Sequence, residues 1–256
     1  MQTALRCPRL FHYRYVERLA EPEIMPEARV GKAIHSAMEH VLMGTPLFDA
    51  SVHARQSLRT KLEEKRFDAI QPGIGIFVDH VDEFRRIHHI ERQLIEYRLG
   101  IREDGATTTF YAGDAFFRGI LDVGFLFDDD QLAVIDHKTG QPSRRHSLFE
   151  QLEGYAVLTA ACFGQVRHLW LGIYWVATAH LQWAEPVQPD VIHGELLPKV
   201  LNNIEAAALA VADGPRTNTG VWCERCSYRT VCPAGREMRY EPVESADSDD
   251  DYEPRL

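Results

Sequence analysis

The sequence has no long hydrophobic run and little cysteine. No stretch of its 256 residues approaches the ~18 uncharged apolar residues of a membrane span, and the first residues contain no apolar signal core. These absences predict a cytoplasmic protein with no membrane partner. In a reducing compartment the five cysteines are not expected to form disulfides, which favours metal ligation.

An excess of positive charge is also lacking, because the formal net charge is −10. From residue 241 onward, however, seven acidic residues face Arg255 alone, so this segment carries −6 and the remainder −4. We expect residues 237–256 to form a disordered acidic tail, since high charge and few apolar groups cannot build a core. The acidity of the whole chain therefore does not exclude a nucleic-acid substrate.

Four of the cysteines bracket the chain. Cys7 stands near the start, and Cys223, Cys226 and Cys232 form a C-x2-C-x5-C cluster near the end. Three thiols are one short of a closed tetrahedral site and no histidine follows at zinc-finger spacing, so Cys7 is the natural fourth ligand. Four thiolates fit either Zn2+ or an iron-sulfur cluster. Cys162, in an apolar run, is expected to be a buried hydrophobic residue instead.

Hydrophobic periodicity predicts an α/β or α+β fold with one central mixed sheet flanked by helices. We expect one domain over residues 1–236, with a helical insertion at about 50–100 and metal-binding ends at 1–20 and 215–236. The predicted helices cover residues 29–43, 52–68, 77–98, 146–163 and 191–211, and the predicted strands cover 109–117, 119–127, 132–138, 166–178 and 180–183.

Two of the predicted strands are interrupted by acids. Asp122 lies in one and Asp136 in the next, with Lys138 two residues further on. Strand alternation puts Asp136 and Lys138 on one face. Asp122 meets Asp136 if residue 122 pairs with residue 136, which requires that 127 pair with 131 or 126 with 132, or else a bulge.

Burying such charges is costly unless they pair or hold a metal. Two carboxylates with a lysine beside them suit a Mg2+ or Mn2+ site for phosphodiester hydrolysis, in which the lysine orients water or stabilises developing charge. The alternative is a surface ion pair between Asp136 and Lys138, with Asp122 in a turn.

Asp122 followed by the run D-H-K-T-G from Asp136 resembles the core of the PD-(D/E)xK nucleases, in their RecB-like branch. The pairs Gly31-x-x-x-His35 and Gln151-x-x-x-Tyr155 resemble the same branch. The resemblance implies a restriction-endonuclease-like core. It also implies catalytic roles for Gln151 and Tyr155, through contacts to the active-site lysine or to DNA phosphate.

The same resemblance implies a Mg2+ or Mn2+ site whose ligands are His35, Asp122, Asp136 and the backbone carbonyl of His137. Each of these residues also has a simpler interpretation. His35 lies one helical turn before Glu39 and could pair with it. Gln151 and Tyr155, at i and i+4, could pack at a helix edge. Glu96 is a further candidate acid, although charged residues on long helices are usually solvated.

The split cysteine layout is similar to that of the iron-sulfur exonucleases, such as the AddB C-terminal nuclease and the CRISPR-associated RecB-like exonucleases. It implies a [4Fe-4S] cluster that joins the N- and C-terminal segments. Arginines beside Cys7, interleaved with aromatic residues, suit the phosphates and bases of a single strand. The candidate DNA contacts are Arg9, Arg14, Arg144 and Arg145, while a helical face with its arginines in solvent is the alternative for the first two.

These features together predict a metal-dependent DNA exonuclease that acts on single-stranded DNA ends in recombination, repair or end processing, with a helicase or recombination partner, in a bacterial or phage-infected cell. One alternative is a CRISPR-adaptation, phage or mobile-element nuclease of the same family. Another is a catalytically silent DNA-binding scaffold that keeps the cluster.

Overall fold

The computed structural model describes residues 2–21, 26–127, 130–142 and 146–237. Its helices are α1 (Gln2–Arg6), α2 (Pro8–Phe11), α3 (Pro26–Leu42), α4 (Leu47–Arg55), α5 (Lys61–Ile70), α6 (Pro72–Ile87), α7 (His146–Cys162), α8 (Pro189–Val191), α9 (Leu197–Ala212) and α10 (Pro233–Glu237). Its strands are β1 (Ile90–Ile101), β2 (Thr107–Thr108), β3 (Phe117–Phe127), β4 (Gln131–Lys138), β5 (His168–Trp175) and β6 (His180–Trp183). Short π-helical turns cover His12–Val16 and Ile192–Leu196, and 3-10 turns cover Val176–Thr178 and Val221–Arg225.

The six strands form one mixed sheet in the order β2-β1-β3-β4-β5-β6. Only β4 and β5 pair in parallel, and α7 connects them, as parallel neighbours require a crossover. Strands β3 and β4 pair Phe127 with Gln131 and Leu126 with Leu132, so the predicted register is confirmed.

The sheet separates two apolar cores. On one side, α7 contributes Ala156 and Leu158 to a core with Leu121 of β3. On the other side, Ile34 of α3 and Phe77 of α6 join a second core. The central mixed sheet flanked by helices is therefore confirmed.

Three predicted elements were wrong. The helix expected over 52–68 is two helices, because Thr60 and Glu63 form a capping box that starts α5 afresh. Residues 90–98 belong to strand β1, so the helical part of the expected insertion stops at Ile87. Residues 109–116 turn rather than extend: the Ala112 amide donates to the Thr109 carbonyl.

In the part of the chain that the structure describes, no helix is long and apolar enough to span a membrane. The expected acidic tail beyond residue 237 lies outside the described residues, as do Arg144 and Arg145.

Candidate active site

The site is built where the pairing between β3 and β4 stops, at the middle of β3 and the end of β4. Their pairing runs from Phe127 opposite Gln131 to Val123 opposite Ile135, so Asp122 and Asp136 lie one residue further along. There the backbone N–H of His137 donates a hydrogen bond to Asp122 Oδ2 at 2.7 Å. A side chain thus holds the two strands together where the backbone ladder stops.

One group of side chains at this end of the sheet could hold a metal ion. Donor atoms of His35, Asp122 and His137 all lie within 4.8 Å of one another, and His35 Nδ1 is 3.7 Å from Asp122 Oδ2. His35 arrives on α3, which approaches the loop after β4 closely at Gly31. A Cβ at Gly31 would be in contact with Thr139 Oγ1, at 3.4 Å.

A second group surrounds Asp136 and Lys138. Lys138 Nζ lies 2.6 Å from Asp136 Oδ2 and donates to Gln151 Oε1 at 3.0 Å. Gln151 Nε2 in turn donates to Asp136 Oδ1 at 2.8 Å and lies 2.7 Å from the Tyr155 hydroxyl, which donates to the same carboxylate. Both members of the i, i+4 pair on α7 therefore contact the acid, and Gln151 also contacts the lysine.

The two predicted acids turn toward different layers. Asp122 faces His35 of α3, whereas Asp136 faces Gln151 of α7, and Asp136 is not among the donors that lie within 4.8 Å of one another. We expected both carboxylates on one face. The difference arises at Asp122, because regular pairing of β3 is interrupted there between Leu121 and Val123, whereas β4 stays regularly paired with β5 through Lys138.

Burial and charge repulsion set the charge states of Asp122, His35 and His137. Burial, and then the charge of Asp136, raises the pKa of Asp122 to about 7, although the His137 hydrogen bond and Lys138 oppose this. Burial also lowers the pKa of His35 and holds the pKa of His137 well below its usual range. Both imidazoles are therefore neutral near pH 7, the form that ligates metals, and a cation would relieve the repulsion between the carboxylates.

Glu96 is an acid of the site whose position sequence reasoning missed. It lies in the interior of β1 with a φ of 45°, between Ile95 and Tyr97, which both pair regularly with β3. Its side chain lines an open cleft of about 560 Å³ with His35 and Asp122. Burial, and then the charge of Asp122, raises the pKa of Glu96. A non-glycine residue held at positive φ beside a site is typical of functional strain.

Away from this cleft, Cys7, Cys223, Cys226 and Cys232 line one cavity of about 170 Å³. Cys226 is half-buried and the other three are buried. Among the described residues, no three of these sulfurs lie within 4.8 Å of one another. Cys162 stands apart and is half-buried at the edge of the α7 core, less enclosed than expected.

Hydrogen bonds bring the chain ends together at this cavity. Arg9 Nε donates to Thr217 Oγ1 at 2.9 Å, and the Tyr228 hydroxyl donates to the Leu19 carbonyl at 2.9 Å. Residues about 200 positions apart in sequence thus hold the N-terminal arm (residues 2–21) against the C-terminal segment (residues 211–237). We call these two segments together the clasp.

The predicted DNA-contacting arginines of the N-terminal arm are engaged within the protein. Arg9 bonds to Thr217, and Arg14 pairs with Glu21 at 2.5 Å. Arg14 is thereby partly neutralised, so DNA would compete with Glu21 for it.

The whole chain was compared with known proteins. A model of the PD-(D/E)XK nuclease superfamily matches residues 1–233. No curated protein matches this sequence. A solved structure described as "Crystal structure of SSO0001" is 14% identical, and the match covers 88% of this chain and 95% of that chain with a TM-score of 0.38. Because the family match spans almost all of the described residues, the chain belongs to the PD-(D/E)XK nuclease superfamily.

Proposed function

We propose that this nuclease is a divalent-metal-dependent DNA exonuclease that hydrolyses phosphodiester bonds from single-stranded ends, in recombination, repair or end processing. One observation carries the proposal: cation donors around Asp122 and a fixed lysine beside Asp136 lie on adjacent strands, just beyond their last backbone pair. The superfamily acts on nucleic acid and uses divalent metals, and this arrangement provides for both.

We assign the divalent cation to His35 and Asp122, with Asp136 and the His137 backbone carbonyl as the remaining proposed ligands. When bound, the cation would polarise a phosphate oxygen and lower the pKa of a water molecule. Neutral imidazole beside a carboxylate is a suitable donor set, and the raised pKa of Asp122 indicates a pocket that favours added positive charge.

Lys138 supplies a fixed positive charge for the phosphate. Its ammonium group is held between Asp136 Oδ2 and Gln151 Oε1, so little reorganisation is needed when negative charge develops on the substrate. Tyr155 keeps its proton, because burial and then Asp136 raise its pKa, and its hydroxyl remains a donor to Asp136.

Single-stranded ends suit the exposed aromatic residues of the N-terminal arm. Tyr15 is 51% exposed and lies 4.9 Å from Phe11, ring centre to ring centre. A base can stack on such a ring without sequence preference, while an arginine such as Arg9 contacts phosphate. Arg144 and Arg145 remain proposed phosphate contacts from the sequence alone.

We further propose that the clasp holds a [4Fe-4S] cluster with a structural role. Four thiols around one cavity support it. Four thiolates fit either Zn2+ or an iron-sulfur cluster, and the resemblance of the split cysteine layout to the iron-sulfur exonucleases favours the cluster.

Cleavage of end-labelled DNA tests the function. We expect Mg2+ or Mn2+ to support shortening of linear single-stranded DNA, with circular single strands left intact because they have no end. Lys138→Ala should lose at least about 100-fold in rate, since it removes charge stabilisation of the transition state. Lys199→Ala is the matched control, because Lys199 pairs with Glu153 on the surface. Cleavage of circles, or an unchanged rate in Lys138→Ala, would overturn the proposal.

A further inference from the structure

The imidazole of His137 is a polar group in an apolar position. Its residue is 2% exposed, and its ring packs edge-on against Phe77 and Tyr174, with centroids 4.8 Å and 6.3 Å away. Nε2 has no hydrogen-bond partner in the described part of the chain. Packing alone does not account for a histidine here, because phenylalanine would fill the same space without burying an unpaired nitrogen.

The same ring also lies near the other cation donors. A nitrogen of His137 lies within 4.8 Å of donor atoms of both His35 and Asp122, and the centroids of the two imidazoles are 6.0 Å apart. The ring is therefore buried and close enough to the other two donors to share a cation with them.

We propose that the His137 side chain is itself a ligand of the divalent cation, beyond the role of its backbone carbonyl. This inference rests on the proposed function, since it concerns the same cation. The side-chain nitrogens of His35 and His137 then join the proposed oxygen ligands from Asp122, Asp136 and the His137 carbonyl. Mg2+ takes oxygen ligands almost exclusively, whereas transition-metal ions accept imidazole. The His137 ring is thus a determinant of metal choice, and it directs the site to Mn2+ over Mg2+.

His137→Phe separates the two roles of this residue. The variant keeps the backbone carbonyl and the aromatic packing but removes the ring nitrogens. Tyr174→Phe is the matched control: it alters the same aromatic group and removes the hydrogen bond to the Gly73 carbonyl, yet leaves every cation donor in place.

Mn2+ binding to chelator-treated protein, followed by electron paramagnetic resonance with Mg2+ as competitor, is the measurement. We expect the wild type to prefer Mn2+ by at least about tenfold. His137→Phe should raise the Kd for Mn2+ by at least about tenfold, since even outer partners of metal ligands are worth that much. Its Kd for Mg2+ and both values in Tyr174→Phe should change less than about threefold, because no oxygen donor is lost.

Pulsed resonance on wild-type protein gives a second test that needs no folded variant. Coupling of bound Mn2+ to two imidazole nitrogens supports the inference, and coupling to one or none overturns it. An unchanged Mn2+ affinity in folded His137→Phe also overturns it. If Mn2+ binds through two imidazoles but DNA stays uncut, the proposed function fails and the ligand assignment stands. If DNA is cut while His137→Phe binds Mn2+ normally, the ligand assignment fails and the proposed function stands.

Discussion

Asp122 is the residue at which stability and function oppose each other. Its carboxylate is largely buried near Asp136, so ionising it in the folded protein is unfavourable until a cation compensates. Strand alternation and the D-x-K spacing made Asp122, Asp136 and Lys138 candidates from sequence. The different directions of Asp122 and Asp136 could not be predicted, because they depend on the break in regular pairing of β3 at Asp122.

Asp122→Asn should stabilise the metal-free protein at high pH. The pKa of Asp122 rises on folding from 3.8 to about 7, so folding opposes its ionisation. The resulting cost is absent below pH 4, grows between pH 4 and 7, and is complete above pH 7. We therefore expect the free energy of unfolding of the variant to be about 1–4 kcal/mol larger than that of the wild type at pH 8, and equal to it at pH 4. Urea unfolding with a chelator at both pH values measures this, and a difference that does not vary with pH contradicts it.

Stability and function also oppose each other at Glu96, where the cost to stability lies in the backbone conformation. We expect Glu96→Gly to raise the melting temperature by about 1–3 °C, because glycine adopts a φ of 45° without steric cost. Nuclease activity should fall in the same variant, since the acid is removed from the cleft. Arg98→Gly, at an exposed and regularly paired position of β1, should lower the melting temperature instead. A destabilised Glu96→Gly would indicate that the strain is absent.

At the scale of elements, regular patterns were predictable and irregular ones were not. The β3–β4 register followed from alternation and a three-residue connection. Strand β1 was taken for helix because its pattern breaks at Glu96. Leu94 and Leu99 point into the same core although they are an odd number of residues apart, which strand periodicity forbids. The irregular backbone at Glu96 thus breaks the alternation that would otherwise have predicted strand β1.

Helix α6 is positioned by one close backbone approach. A Cβ on Gly73 would lie far inside contact distance of the Val176 carbonyl oxygen, whereas one on Gly75 would contact only the end of Leu47, at 3.5 Å. We expect Gly73→Ala to destabilise the protein by about 2–4 kcal/mol through backbone displacement. Gly75→Ala should be neutral or stabilising by up to about 1 kcal/mol, because alanine is the better helix former. Urea midpoints compare the two, and equal effects would mean that α6 does not depend on this approach.

At the scale of the whole molecule, the two ends of the chain are held together. The sequence indicated that Cys7 meets the C-terminal cysteines, and all four line one cavity. It did not indicate the hydrogen bonds of the clasp, such as Arg9 to Thr217, because no short motif encodes pairs about 200 residues apart. The ends are therefore held by protein contacts as well as by any metal centre between them.

Cys7→Ser separates the contribution of the protein contacts from that of the proposed metal centre. Removing one of four thiolates should abolish the proposed cluster, so iron and sulfide should fall from about four per chain to near zero. Metal-binding energy is also folding energy, so the melting temperature should drop by about 5–10 °C. Far-ultraviolet circular dichroism should stay close to wild type, since the sheet and both cores lie outside the clasp. Cys162→Ser should keep full iron, because Cys162 does not line the cavity. Full iron in Cys7→Ser would show that this cysteine is not a ligand, and a colourless wild type with one zinc per chain would replace the iron-sulfur cluster with a zinc clasp.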